Sequence, residues 1–419
     1  MKVRGRGFHA LTPFTEALEA LMEMVSPTPP EEVSLGEAGG RVLAQRVVAP
    51  RDNPPFHRAA MDGFAVRASS TFGASQSSPR YLRVVGRARA GEGWGGKVGE
   101  GEAVRITTGA PLPEGADAVV MLEHVNELGE EIEVVKPVPP GKNVSLRGED
   151  YRKGEVLIPE GTRIGARELA VISSLGMPKV KVRAPPKVGI VTTGDEVAEP
   201  GEPLGEGMVY DASSHALAHL CREEGAEAHR LGRAGDTRRA LREVLARGAE
   251  MDVLLITGAS SVGEHDLVPE VVRELGSIRV HGVAMRPGEP TGFGRVGRAL
   301  VFMLPGYPVA TLFGFEAFVR PALQLMQGAQ PRCPYPVVEA VLVRKIASEL
   351  GRRDFVRVRL REGEEGYEAE PVRVSGSGIL SSMLRAHGFT VVPENTEGVE
   401  KGERIPVRLF TPPRGGCCG

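Results

Sequence analysis

Lysine is scarce in this chain. It supplies ten of the 52 basic residues, and none lies between Lys187 and Lys345. An anion held by the middle of the chain would therefore meet arginine, whose guanidinium is planar and always charged. Neither sign of charge is in excess. Fifty-two Lys+Arg oppose 54 Asp+Glu, for a formal net charge of −2. That balance argues against a nucleic-acid or membrane-surface partner. Long apolar runs are missing too. The longest, such as Ala299–Leu304, fall far short of the roughly 20 residues a membrane helix needs. Met1-Lys-Val-Arg-Gly-Arg6 is basic like a signal-peptide start, but no apolar segment follows it. A cytoplasmic protein is expected. Cysteine is limited to Cys221, Cys333, Cys417 and Cys418, with no metal-ligand spacing. Cys221 is expected in a helix core, and Cys417-Cys418 in a loose tail.

With 419 residues, two to four domains are expected. Thr12-Pro13 predicts a helix start, with Thr12 as cap and Phe14, Leu18, Leu21, Met22 and Val25 as the apolar stripe. From about 81 to 164, short β-like runs alternate with Gly and Pro: 81–85, 118–122 and 131–135. A short helix over 166–175 stops at Gly176, and Pro185-Pro186 marks a junction. The middle of the chain alternates strand and helix. Asp211 and Asp236 are expected to cap two of the helices, the first with Ala212, Leu217, Leu220 and Cys221 inward. Leu267–Leu275 and 309–326 are expected to be further helices. This alternation predicts a doubly wound parallel sheet. After Pro331-Arg-Cys-Pro334, runs at 337–343, 355–360 and 404–410 predict a small β-barrel. The expected fold is α/β and multidomain. Residues 1–184 form an N-terminal and linker region with an inserted β-rich subdomain (about 50–146). An α/β domain spans 185–328, a β-barrel 329–412, and a tail 413–419.

Three apolar runs of the middle region end in Gly/Thr/Ser loops. Val188-Gly-Ile-Val191 enters Thr192-Thr-Gly-Asp-Glu196. Val253-Leu-Leu-Ile256 enters Thr257-Gly-Ala-Ser-Ser-Val-Gly-Glu-His-Asp266. Ala299-Leu-Val-Phe-Met-Leu304 enters Pro305-Gly-Tyr-Pro308. Such runs read as buried parallel strands, and loops at their carboxyl ends line a ligand crevice. Asp195 and Glu196 suit a hard cation beside phosphates, and equally suit a helix N-terminus. Thr257–Gly263 can present backbone N–H groups to phosphate but matches neither a Walker A loop nor a dinucleotide fingerprint. Asp266 fits a helix cap as well as a site. Arg286-Pro-Gly-Glu-Pro290 is a rigid turn whose arginine suits an anion and whose glutamate does not. Met61-Asp-Gly-Phe-Ala65 and Arg147-Gly-Glu-Asp-Tyr151 are acidic turns.

As an ordered set these motifs are far more specific. Met61-Asp-Gly-Phe-Ala65, Thr107-Thr-Gly-Ala-Pro111, Arg147-Gly-Glu-Asp150, Thr193-Gly-Asp-Glu196, Ser261-Val-Gly263, Pro287-Gly288 and Leu304-Pro-Gly306 occur in the order found in the MoeA family of molybdopterin molybdenumtransferases. That family is related to the E domains of gephyrin and plant Cnx1. The chain resembles it from about residue 10 to residue 410. The resemblance implies a homodimer with composite active sites and a central domain like the MogA type. It implies cleavage of adenylylated molybdopterin in the presence of Mg²⁺ and molybdate, releasing AMP and leaving molybdenum on the dithiolene. Asp195, Glu196 and Asp266 would then serve the nucleotide and metal side as catalytic groups, joined by Asp62 and Asp150 of a second subunit. Thr108 and Arg147 match positions at that composite site. Thr193, Gly194, Gly258, Ser260, Ser261, Gly263, Arg286, Pro305 and Gly306 would contact substrate. A MogA-type adenylyltransferase and molybdoenzymes are the partners the resemblance suggests.

The chain departs from the family in one region. The usual Lys-Pro-Gly-Lys-Pro is Arg286-Pro-Gly-Glu-Pro290, so Glu289 reverses a charge expected near the oxyanion. Two unit charges about 4 Å apart at an effective dielectric near 20 interact by roughly 4 kcal/mol, an upper bound on the effect. The usual Leu-Pro-Gly-Asn-Pro-Val-Ser is Leu304-Pro-Gly-Tyr-Pro-Val-Ala310, so Tyr307 and Ala310 replace an amide and a hydroxyl. Gly258-Ala259 replaces Gly-Gly, and Phe56-His-Arg-Ala-Ala-Met-Asp-Gly63 replaces Phe-Asp-Asn-Ser-Ala-Met-Asp-Gly. Arg357 and Ser381-Ser382 lie near further oxyanion positions. Three readings follow: an enzyme inserting molybdate or tungstate, a non-catalytic molybdopterin-nucleotide scaffold, and an adenylyltransferase. The additional terminal domains argue against the last.

Overall fold

A computed structural model of the chain describes residues 10–258, 267–364, 366–372 and 378–410. It divides into two compact units. One comprises Met1–Ala44, Gly161–Gly165 and Lys179–Gly419, and the other Gln45–Glu160 and Ala166–Pro178.

The larger unit is built on a six-stranded sheet. Its order is Glu227–Ala234, Lys187–Thr193, Val253–Thr257, Ala299–Leu304, Gly292–Val296, Gly276–His281. The first four strands are parallel, Gly292–Val296 runs antiparallel to them, and Gly276–His281, antiparallel to it, returns to the common direction. The sheet is therefore mixed rather than wholly parallel. The three apolar runs read from the sequence are its central strands, and Val253–Thr257 is buried throughout. Alternate residues of that strand serve opposite faces, as the two-residue pleat requires. Val253 and Leu255 pack with Leu217, Ala218 and Cys221 of one helix and with Phe313 and Phe318 of another. Leu254 and Ile256 pack with Leu241, Val244 and Leu245 and with Val268, Val271 and Val272. Helices cover both faces, so the sheet is doubly wound.

Several local expectations change. Thr12 does not cap the first helix, Phe14–Met24, which has Pro13 at its N-cap without a side-chain bond. The Thr12 backbone instead bridges to the chain just beyond the strand Gly276–His281: its N–H donates to Gly282 O at 3.0 Å, and its carbonyl accepts from Ala284 N at 2.8 Å. Ala17 takes the inward place expected of Met22, which is exposed. Ala212 is exposed as well. Asp236 does not cap the helix Arg238–Gly248; Thr237 does, accepting from Ala240 N at 3.2 Å. The 309–326 helix contains a π-helical turn, Phe315–Val319. It carries Arg320, buried to 4% exposure and held by Glu316 at 2.7 Å and by Glu224.

The same unit contains a second sheet, in which Arg353–Gly363, Gly366–Pro371, Val337–Leu342, Arg404–Leu409 and Gly388–Val392 pair in that order. Pairing of Arg353–Gly363 with Gly388–Val392 closes it into a five-stranded barrel. Val356, Val358, Leu360, Val407 and Leu409 fill it, every second residue pointing inward.

The smaller unit is a six-stranded sheet in the order Ala118–Met121, Gly63–Val66, Glu102–Ile106, Arg80–Ala88, Glu131–Val134, Val125–Leu128. Phe64, Leu82, Val120 and Ile132 lie in its core. Gly63–Val66 is wholly buried and short, without the alternation that marks a strand. It lies beside Ala118–Met121 so closely that a Cβ at Gly63 would sit 1.9 Å from the Val120 carbonyl oxygen. Only glycine fits there, which explains why Asp62 is followed by glycine.

Candidate active site at the carboxyl edge of the central sheet

Four loops leave the carboxyl ends of the parallel strands. The order places Lys187–Thr193 between Glu227–Ala234 and Val253–Thr257, so the crossover direction reverses beside it. Ligands of open α/β sheets bind at such a switch point. The loops after Thr193 and Thr257 flank it. Thr193 is buried, and its hydroxyl donates to Thr257 O at 3.0 Å, tying the two loop starts together. Gly258 has φ +88°, and a Cβ there would lie 2.5 Å from Thr193 O. A Cβ at Gly306 would lie 3.3 Å from the Gly258 Cα. The starts of the three loops thus meet through backbone, with glycine at 258 and 306 forming the floor between them among the described residues. Gly194 is buried and Pro305 closes the strand Ala299–Leu304.

Asp195 and Glu196 are exposed on this edge. Asp195 N–H donates to Asp236 Oδ2 at 3.3 Å, and Asp236 N–H donates to Asp195 Oδ1 at 3.3 Å. Each carboxylate thus accepts from the other's backbone. Sequence pattern alone marks Asp236 as a helix cap, because the strand before it, Glu227–Ala234, has too few buried residues to stand out as an apolar run. Behind the loop, Asp211 accepts from Thr192 Oγ1 at 2.8 Å and from the N–H groups of Ser213 and Ser214 at 2.9 Å. Burial pushes its carboxyl up, but the hydrogen bonds from Ser214, Thr192 and Ser213 outweigh this and leave it below the ordinary carboxylate range. Ser260, Ser261, Gly263 and Asp266 lie outside the described residues, as do Cys417 and Cys418.

The hairpin 282–291 rises from the same edge, because His281 pairs with Gly292 and Gly292 with Met303. Arg286 lies in it and is ion-paired with Asp354 of the barrel. Glu289 is exposed and has no ion pair among the described residues. Tyr307 is 63% exposed and Ala310 is buried. Arg357, on the barrel strand Arg353–Gly363, is 3% exposed, and burial lowers its pKa.

The smaller unit gathers a second group around residues 52–63. Asp62 Oδ1 accepts from Thr108 N at 2.6 Å and from Thr108 Oγ1 at 2.8 Å. These bonds hold its carboxyl below its ordinary pKa. Asp150 Oδ2 accepts from Asn53 Nδ2 at 2.8 Å. Arg147 donates through Nε to Asp52 Oδ2 at 2.6 Å and through its backbone to His57 Nδ1 at 3.1 Å. The segment has 107–112 on one side and 143–151 on the other: Gly109 N–H bonds to Ala59 O at 2.8 Å, and Gly148 N–H to Pro54 O at 3.0 Å. Asp62, Thr108, Arg147 and Asp150 are all exposed. Asp52 and Asn53, which hold Arg147 and Asp150, carry no sequence signal of their own.

A switch-point cleft floored by glycine and rimmed by carboxylates belongs to the class of α/β domains that hold phosphorylated ligands. The comparisons narrow this. Residues 12–176 match the model of the MoeA N-terminal region (domain I and II). Residues 189–325 match a probable molybdopterin binding domain, and 339–410 the MoeA C-terminal region (domain IV). A putative molybdopterin biosynthesis protein of Methanocaldococcus jannaschii is 40% identical over 389 residues, 91% of this chain and 92% of the relative. A molybdopterin molybdenumtransferase of Haemophilus influenzae is 33% identical over 398 residues, 93% of this chain and 96% of the relative. The crystal structure of a molybdopterin biosynthesis MoeA protein from Pyrococcus horikoshii superimposes with a TM-score of 0.82 at 36% identity, covering 96% of this chain and all (100%) of that one. The chain belongs to the MoeA family. No helix among the described residues is long and apolar enough to cross a membrane.

Proposed function

We propose that the chain is a molybdopterin molybdenumtransferase that works in the cytoplasm. It takes adenylylated molybdopterin and molybdate, or tungstate, and releases AMP in a magnesium-dependent reaction. The observation that carries this reading is the carboxyl edge itself: a glycine floor for phosphate beside exposed Asp195, Glu196 and Asp236. Cleaving a phosphoanhydride requires positioning and charge neutralisation more than a covalent nucleophile.

The donor set fits magnesium in kind. Asp195 and Glu196 offer only oxygens, as a hard cation prefers, and both face solvent. Among the described residues no three His, Cys, Asp or Glu side chains gather as a preformed metal cage. Such a cation shares its shell with substrate phosphates, so a partial protein set is consistent with the role. It would supply positive charge at the phosphates. The chain's own part is to hold those phosphates on the Gly258–Gly306 floor and to keep Asp195 oriented through Asp236.

Asp62, Asp150, Thr108 and Arg147 would act on the site of a second copy, making a homodimer with composite sites. Their exposure supports this, since nothing in their own unit covers them. An adenylyltransferase supplying the nucleotide and molybdoenzymes receiving the product are the corresponding partners. The test is AMP release from adenylylated molybdopterin with Mg²⁺ and either oxyanion. Absence of release with both molybdate and tungstate rejects the reading.

One observation favours a non-catalytic scaffold instead: the turn expected to carry two cations exposes Glu289, and its Arg286 is engaged by Asp354. That reading predicts nucleotide binding without AMP release, and release by the wild-type chain eliminates it.

A further inference from the structure

The hairpin carrying Arg286 is joined to the barrel by backbone and by side chain. Met285-Arg286 pairs in parallel with Arg353-Asp354, and Arg353 N–H donates to Ala284 O at 2.9 Å. The Asp354 side chain is 1% exposed. Both of its oxygens are used. Oδ2 takes the Arg286 ion pair and accepts from Ser348 Oγ at 2.9 Å, while Oδ1 accepts from Arg352 Nε at 2.9 Å. Arg286 Nη2 also reaches Ala347 O at 3.3 Å. A carboxylate is buried this deeply only where its partners are fixed. Arg286 meanwhile keeps 31% of its side-chain surface exposed, on the edge that holds Thr193, Gly258 and Gly306. The guanidinium is thus anchored through Nη2 and remains partly exposed, on a hairpin that rises from the carboxyl edge of the central sheet.

We propose that Asp354 is a positioning residue that fixes Arg286 to receive a tetrahedral oxyanion at the carboxyl edge of the central sheet. A long side chain on a turn would otherwise sample many rotamers, and anchoring it beforehand removes that cost from binding. Arg286 and Arg352 share the Asp354 carboxylate, and Arg352 is itself held by Glu349 at 3.0 Å, so Arg286 is anchored in a fixed network of charges. The barrel strand thereby sets the aim of a cation carried by a hairpin that rises from the central sheet. The oxyanion is free molybdate or tungstate, or a phosphate of the nucleotide substrate; the chemistry is shared, and the measurement separates them.

This inference rests on the oxyanion-transfer reading, so the experiment measures binding apart from turnover. Tungstate binding by equilibrium dialysis and half-saturation for each substrate in AMP release are compared in wild type, Asp354→Asn, Arg286→Gln and the double variant. Asp354→Asn is expected to weaken tungstate binding about tenfold, with less than a twofold change in kcat at saturation. In the Arg286→Gln background the same change is expected to add less than twofold. If Asp354→Asn folds poorly, Ser348→Ala loosens the carboxylate more gently, and a two- to threefold loss is expected. A loss confined to half-saturation by the nucleotide, again absent without Arg286, assigns the oxyanion to the substrate phosphate. Equal losses in both backgrounds, or an unchanged affinity in Asp354→Asn and Ser348→Ala, overturn the proposal. Tungstate binding that depends on Asp354 and Arg286 but without AMP release keeps it and rejects the transferase reading.

Discussion

The carboxylates of the central edge and those of the smaller unit are equally exposed, yet they are placed by different means. Asp195 and Glu196 stand at the end of a strand buried on both faces, so sheet packing locates them. Asp62, Asp150 and Arg147 stand on loops located by one another's hydrogen bonds, through Thr108, Asn53 and Asp52. The first kind of placement survives the loss of a side chain. The second depends on every bond in it. A rigid edge suits groups that hold charged substrate, and a bonded loop cluster suits groups that must meet a surface from outside.

The largest expected effect lies on the rigid edge. Asp195→Asn should lower AMP release by about a hundredfold or more, with a melting temperature within ~2 °C of wild type because the side chain is exposed. A large loss of stability would instead make Asp195 a structural residue. Mixing Asp195→Asn with Asp62→Asn chains sharpens the contrast between the two regions. If sites are shared between subunits, each heterodimer regains one of its two sites; with about half the dimers mixed after random exchange, activity returns to about a quarter of the wild-type value on simple site-counting. No recovery would place both groups in one subunit's site.

Next comes the floor. Gly258→Ala must enforce a positive φ and push a Cβ against Thr193 O, so a stability loss of about 1–3 kcal/mol is expected in chemical denaturation. A neutral outcome would show that the Thr193–Thr257 contact is not rigid. Smaller still is the Asp211 contribution. Its folded pKa is depressed, so its stabilisation is present above the ordinary aspartate range and fades as pH falls through the lowered value. Asp211→Asn should cost about 1 kcal/mol at pH 7 and progressively less below about pH 4. A gap independent of pH would contradict the hydrogen-bond origin. The smallest effect is expected from Glu289→Lys. Glu289 is exposed, so screening reduces the charge effect far below the close-contact bound, to a two- to fivefold gain in oxyanion affinity on the order of an exposed ion pair. That gain should shrink in high salt, and a hundredfold gain would mean the turn closes over its ligand.

Much of the larger unit was legible in the sequence because its strands are continuous apolar runs of the buried kind. Val188–Val191, Val253–Ile256 and Ala299–Leu304 could hardly be anything but core. The strands that escaped were those without that signal. Glu227–Ala234 is an edge strand with a mostly exposed face, and Gly63–Val66 is short. Asp236 was misread for the same reason: without its strand it looked like a helix cap. Asp52 and Asn53 act only through partners about a hundred residues away, and no local pattern encodes such a distance.

The order of the motifs from Met61-Asp62 to Leu304-Pro-Gly306 determined the family and the set of residues to inspect, because local chemistry at a turn is written in adjacent residues. Whether those residues meet is decided by strand register. That register brings Gly258 and Gly306 to one floor, pairs Asp195 with Asp236, and carries Arg286 against Asp354. Sequence records which groups a loop carries. Only backbone hydrogen bonding between distant strands decides which loops share an edge, and so which charges face the same ligand.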